Sequence, residues 1–181
     1  MATNYIAPTW RMPENTNQSK LSNYSINFNG SNDVINLGSG IQLSGNKSIS
    51  AWVYVQPGVD QKVILGASFP VYYFWLNNAL SKVYIRDASG GPTQLDTGTL
   101  SEGWTHFCIT GDATTATLYI NGTSTDTGTD RELDIQNIGA APAYYFDGKI
   151  AEITIFDYVL STDQITYLYN LNNPMAITGA K

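Results

Sequence analysis

Residues 103–122, GWTHFCITGDATTATLYING, constrain this 181-residue chain more than any other stretch. Two segments of alternating polarity flank a short polar turn, and the second runs through Leu118-Tyr119-Ile120 into Asn121-Gly122. An Asn-Gly pair after alternating apolar residues is the strongest short-range hairpin signal, because a type I′ turn needs positive φ at both central residues. A chain committed to such hairpins is committed to antiparallel sheets.

The rest of the sequence agrees. Ser25-Ile26-Asn27-Phe28 alternates, turns at Asn29-Gly30-Ser31-Asn32 and resumes as Val34-Ile35-Asn36-Leu37. Further strands are expected over 48–55, 63–65, 71–76, 82–86, 135–139 and 149–156, with Asn77-Asn78 and Gly90-Gly91-Pro92 as breaks. About a dozen short strands separated by turns predict an all-β sandwich or jelly roll. One helix is signalled: Ser161-Thr162-Asp163-Gln164 has the capping-box form, with Ile165, Leu168 and Tyr169 at helical spacing behind it. This predicts a sandwich of two antiparallel sheets with one short C-terminal helix, on residues 23–171. An extended N-terminal arm over 1–22 and a tail over 172–181 flank it.

Charged residues make up only 13% of the chain, so the polar faces are neutral, and the formal net charge is -6. Phosphate-backbone binding needs clustered Lys and Arg, so nucleic acid is excluded as a partner. No apolar run approaches the ~18 residues of a membrane span, so insertion is not expected. The single cysteine, Cys108, admits no internal disulfide and reads as a small buried hydrophobe. The first residues have neither the basic nor the apolar region of a secretory signal. The arm, with Pro8 and Pro13, still carries Tyr5, Ile6, Trp10 and Met12, too apolar for a solvated tail. It is expected either to lie back on its own domain or to dock on a neighbouring subunit.

Several ordered motifs resemble the laminin-G-like branch of the concanavalin A-like lectin/glucanase jelly rolls. They are the hairpin over 26–35, Ser48-Ile49-Ser50-Ala51-Trp52-Val53, Trp104-x-His106 and Leu118-Tyr119-Ile120-Asn121-Gly122. Ile138-Gly139, the run 146–153 and the closing 160–165 follow in the same order. The resemblance implies a binding or adhesive module, often for glycans, in some members with a structural calcium. Two usual aspartates are replaced here, by Asn29 and Ala151. Asp33, Asp147 and Glu152 are the remaining carboxylates for a calcium site completed by backbone carbonyls; the alternative is that they cap turns. No other cofactor is implied.

Catalysis is not expected. The resemblance extends to glucanases, which need paired carboxylates, placed in laminarinase-like relatives as Glu-x-Asp-x-x-Glu. None of Glu14, Glu102, Glu132 and Glu152 begins that pattern. The sequence lacks a Gly-x-Ser-x-Gly elbow, and a lone His106 cannot build a histidine metal cluster. His106 reads as a core residue.

A ligand is expected at aromatic side chains. Strict alternation in Val71-Tyr72-Tyr73-Phe74-Trp75-Leu76 puts Tyr72 and Phe74 on one face, Tyr73 and Trp75 on the other. One pair fills the core; the other forms a platform on the concave face, suited to a sugar or a protein. Tyr73, Trp75, Tyr144 and Tyr145 are the candidate ligand-binding residues, with Tyr144-Tyr145-Phe146 placed in a loop. Pro8 to Asn15 resembles phage proteins carrying this domain. The expected function is a non-enzymatic, lectin-like virion component of a bacteriophage, a capsid decoration or tail-associated protein docked through Tyr5, Ile6, Trp10 and Met12. Its expected partners are capsid or tail subunits, cell-surface glycans and further copies of itself. The alternative is a carbohydrate-binding module of a secreted or cell-surface bacterial protein.

Overall fold

The computed structural model describes residues 25–68 and 71–171. Within them the chain forms fourteen strands and one helix. One six-stranded sheet has the order β1 (Ile26–Asn29), β14 (Asp147–Phe156), β3 (Asn46–Val55), β8 (Gly103–Asp112), β9 (Thr115–Ile120), β10 (Thr123–Thr129). The other has the order β2 (Ile35–Leu43), β11 (Leu133–Ile138), β4 (Asp60–Gly66), β5 (Tyr72–Asn77), β6 (Lys82–Arg86), β7 (Thr93–Asp96). We refer to these as the first and second sheets. A small ladder of β12 (Ala140–Ala141) and β13 (Tyr144–Tyr145) lies between β11 and β14, and α1 (Thr162–Leu171) closes the chain. All paired strands are antiparallel.

The expected hairpin forms. β9 and β10 pair from Thr123 opposite Ile120, and Asn121 and Gly122 between them have φ of 51° and 80°, as a type I′ turn requires. The Asn121 side-chain oxygen also accepts from His106 N–H (3.0 Å), while the Asn121 backbone N–H donates to the His106 carbonyl (2.9 Å). The turn is thereby fastened to the neighbouring strand. The capping box forms as well: Gln164 N–H donates to Ser161 Oγ (3.3 Å) and Ser161 N–H to Gln164 Oε1 (2.8 Å).

The two sheets enclose one apolar core. On β3, Ile49, Ala51, Val53 and Val55 point inward, facing Phe74, Leu76, Val83 and Ile85 of the second sheet across the interior. Lys47 shares this inward phase and is 1% exposed. Its Nζ meets Asp130 Oδ2 at 2.5 Å, and Asp130 also accepts from Tyr73 Oη (3.1 Å), Ala113 N–H (3.1 Å) and Arg131 N–H (2.8 Å). Burial, followed by the Asp130 charge, pushes the Tyr73 phenol well above its ordinary range, so it remains a hydrogen-bond donor. Gly111 permits the approach, since a Cβ there would lie 2.4 Å from an Asp130 carboxylate oxygen.

Gly139 sits between β11 and β12 with φ of 83°, and an added Cβ would stand 2.2 Å from the Phe28 ring. Phe28 is buried edge-on to Phe146, 6.0 Å between centroids. Gly139→Ala therefore combines left-handed strain with a clash inside the core. Urea denaturation should show a loss of about 3 kcal/mol, and a loss below ~1 kcal/mol would mean the site relaxes freely.

Candidate functional site

The outer faces of the two sheets differ. On the first, Trp52, His106 and Cys108 point away from the interior but are covered by Leu160 and α1, with Ile165 fully buried and Tyr169 stacked on Trp52 at 5.7 Å. His106 Nε2 lies 2.8 Å from Ser50 Oγ. The pair has the spacing of a nucleophile and its base, but His106 is 0% and Ser50 3% exposed. Burial holds the imidazole down at about 4 and pushes the Cys108 thiol up to about 12. No substrate reaches either group beneath the helix, so His106 is a core residue.

The second sheet carries an aromatic cluster on its outer face, in which Trp75, Tyr84 and Tyr144 are half-buried and Tyr72 is buried beneath them. Trp75 packs against Tyr72 (5.1 Å between centroids) and Tyr144 (4.9 Å), and all three gather around Val63, Ala141 and Tyr84. Trp75 Nε1 donates to Asp60 Oδ1 at 2.7 Å, which fixes the indole on the sheet. Tyr84 stands opposite Trp75 in the β5–β6 ladder, and Arg86 opposite Tyr72. Gln94 lies opposite Tyr84 in the next strand. The Nε of Arg86 is buried, with no hydrogen-bond partner among the described residues. Polar and aromatic groups thus share one surface, a composition that suits ring stacking with hydrogen bonding at its border.

The strict alternation expected in β5 does not hold. The β4–β5 register shifts between Val63 and Leu65 and again between Leu65 and Gly66, and the β5–β6 register shifts between Tyr72 and Trp75. The resulting bulge turns both Tyr73 and Phe74 inward, each 0% exposed, and leaves Tyr72 and Trp75 together on the outer face. Tyr73 is therefore a core residue and cannot contact a ligand, and Tyr72, itself buried, supports Trp75 from beneath. Tyr144 joins the cluster because the expected loop is a tight β12–β13 hairpin packed on Gly66, where a Cβ would come within 2.9 Å of Ala140 O. Tyr145, half-buried, pairs with Ala140 and is not part of the cluster. Tyr84 and Arg86 went unassigned in the sequence, although Lys82-Val83-Tyr84-Ile85-Arg86 alternates cleanly and predicts which of them point outward.

The three carboxylates proposed for calcium do not converge. Asp33 Oδ2 accepts from Asn29 N–H (3.0 Å) within the first turn, which is shaped by Asn29 Oδ1 accepting from the N–H groups of Ser31, Asn32 and Asp33. Asp147 stands opposite Asn29 at the start of β14, close to Gly30. Glu152 lies five residues further along that strand, roughly 16 Å away at strand rise, on a bulge with φ of 51°. The described residues hold no group of three or more His, Cys, Asp or Glu placed to hold a metal ion. Asp33 and Asp147 both lie beside the Asn29–Gly30 turn, whereas Glu152 sits a strand's length away. The docking residues Tyr5, Ile6, Trp10 and Met12, like the tail 172–181, lie outside the described residues.

Residues 29–166 match the model of the concanavalin A-like lectin/glucanases superfamily. The chain belongs to that superfamily. No curated protein matches it. Among solved structures, it is similar to the binding domain of Paraclostridial Mosquitocidal Protein 1 (17% identity, TM-score 0.58), covering 79% of this chain and 42% of that one. It is also similar to a putative carbohydrate binding protein from Bacteroides ovatus, at 18% identity and TM-score 0.55, covering 79% and 47%. A third is domain 4 of AbnA, an extracellular arabinanase of Geobacillus stearothermophilus in complex with arabinotriose, at 19% identity and TM-score 0.50, covering 80% and 87%. The chain spans less than half the length of the first two. At these identities the likeness establishes the jelly-roll fold of a lectin type.

His106 gives this lectin-type jelly roll a pH signature. Its neutral form is favoured by folding, because the folded value of about 4 lies below the ordinary one near 6.5. The unfolded chain binds the extra proton between these values, so stability falls as pH drops from 6.5 to 4. The loss should approach about 3 kcal/mol and be flattened in His106→Gln. Asp112, held at about 2 by hydrogen bonds from Thr114 and Thr115, acts only at lower pH. A stability profile flat across pH 4–6.5 would contradict this.

Proposed function

We propose that this jelly roll is a non-catalytic carbohydrate-binding module whose ligand lies on the outer face of the second sheet. The observation that carries the proposal is the Trp75–Tyr72–Tyr144 cluster, with its indole locked by Asp60. Sugar rings present apolar C–H faces, and fixed aromatic side chains bind them at low cost in conformational entropy. Arg86 and Gln94 supply donors and an acceptor at the border for hydroxyl groups. On the opposite sheet α1 covers Trp52, His106 and Cys108, and the half-buried pair left outside it, Tyr54 and Trp104, is smaller than the second sheet's cluster. Similarity to a putative carbohydrate binding protein and to an arabinanase domain in complex with arabinotriose supports the reading.

On a glycan array the wild type should bind at least one class of oligosaccharide. Trp75→Ala should weaken binding about tenfold or more, equivalent to ~1.4 kcal/mol, and Tyr84→Ala should weaken it less. Near-UV circular dichroism checks that both variants remain folded. Absence of any wild-type binding, or equal binding by Trp75→Ala, would defeat the proposal.

A second reading concerns where the module works. The apolar, proline-bearing arm with Tyr5, Ile6, Trp10 and Met12 favours attachment to a larger assembly. In this reading the assembly is a bacteriophage virion, with the domain displayed on the capsid or tail. Deleting residues 1–12 should leave the domain folded and abolish its incorporation into particles; undiminished incorporation would refute it.

A further inference from the structure

Strand β6 turns Lys82, Tyr84 and Arg86 to the outer face of the second sheet and keeps Val83 and Ile85 in the core. Its two cations have different surroundings. Lys82 Nζ meets Asp96 Oδ2 at 2.9 Å, and Asp96 also accepts from Gly98 N–H (2.8 Å). Arg86 makes no ion pair and no hydrogen bond among the described residues, although its Nε is buried. A buried donor without an acceptor is costly and calls for a partner from outside the chain.

The carboxylates near Arg86 are engaged elsewhere. Asp87, the next residue, accepts from Ser89 N–H (2.9 Å), Ser89 Oγ (2.6 Å) and Glu132 N–H (3.2 Å), and lies 3.9 Å from Arg131. Asp60 holds the Trp75 indole, and Asp96 holds Lys82. Past Val71 and Asp87, a polar depression of about 360 Å³ is lined in part by Glu132 and Asp134. Their charge repels an anion from that end of β6, so the direction left to one is towards the rings.

Building on the carbohydrate reading, we infer that the glycan taken by this face is anionic, with a carboxylate or sulfate group of a sugar held by Arg86 while a ring stacks on Trp75. Arg86 stands opposite Tyr72 in the β5–β6 ladder and two residues from Tyr84, which stands opposite Trp75. Two residues of strand span roughly 7 Å. A sugar stacked on Trp75 or Tyr84 therefore brings its own substituents, or those of its neighbour, to the guanidinium. A guanidinium carries a permanent charge and presents Nε and Nη as a planar fork that matches two oxygens of an oxyanion. A hydroxyl group would satisfy one donor and leave the charge unpaired. Carboxylate and sulfate share the chemistry that pairs it.

A glycan array holding neutral, carboxylated and sulfated versions of the same oligosaccharides tests it on the full-length chain. The wild type should favour an acidic version over its neutral counterpart about tenfold or more, and the preference should shrink as salt is raised. Whether the carboxylated or the sulfated version is favoured identifies the group that Arg86 holds. Arg86→Gln should erase the preference while leaving neutral binding in place. Arg86→Lys, which keeps the charge but not the fork, should retain part of it. Near-UV circular dichroism checks that both variants are folded. Equal binding of acidic and neutral versions, or a preference that survives Arg86→Gln, would overturn the inference and leave the carbohydrate reading standing. Absence of binding to every version would overturn both.

Discussion

The buried ion pair between Lys47 and Asp130 is the contact on which the arrangement of this sandwich depends. Asp130 occupies the crossover where the chain leaves the first sheet after β10 and enters the second at β11. Lys47 reaches it from β3 of the first sheet and Tyr73 from β5 of the second. One carboxylate therefore joins both sheets and the connection between them. Its desolvation cost is offset because Tyr73 and the N–H groups of Ala113 and Arg131 complete its coordination. Removing one partner would leave a charge in the interior, at a cost of about 3–5 kcal/mol. The bulge in β5 is what points Tyr73 at this carboxylate, and the same bulge places Tyr72 beside Trp75 outside. The ionic knot within and the aromatic surface without share one backbone irregularity.

That coupling also bears on where the proposed binding face lies. The first sheet gives part of its outer face to Trp52, His106 and Cys108 under α1, leaving there the smaller Tyr54–Trp104 pair, and one flank is sealed by β7 against β10. The larger open aromatic face is that of the second sheet, with Trp75, Tyr84 and Tyr144 half-buried and the indole anchored. Membership of a superfamily that includes both lectins and glucanases does not decide between binding and catalysis. The side chains favour binding. The Ser50–His106 pair is sealed from substrate, Glu102 accepts from Tyr54 Oη, and Glu152 belongs to a strand bulge.

Much of the fold was legible in the sequence because its signals are local. Asn121-Gly122 and Ser161 to Gln164 each encode a backbone geometry within four residues, and both form as read. The polar strand β10, over Thr123–Thr129, carries no hydrophobic alternation and was invisible for that reason. The site was half legible. Trp75 and Tyr144 do share one outer face, whereas Tyr73 lies in the core because a bulge is set by cross-strand register, which alternation does not encode. The burial of Lys47 is not legible in the sequence, because a lysine in the inward phase of β3 reads as a strand end unless its distant partner, Asp130, is known.

The central claim is that a glycan binds the anchored aromatic face of the second sheet. Chemical-shift mapping of the isotopically labelled chain with an array-identified oligosaccharide tests it most directly. The account predicts that the Trp75 indole N–H and amides of β4, β5 and β6 shift, with contacts from sugar C–H groups to the Trp75 and Tyr84 rings. Shifts confined to β1, β14 or α1, with the Trp75 indole unmoved, would contradict it.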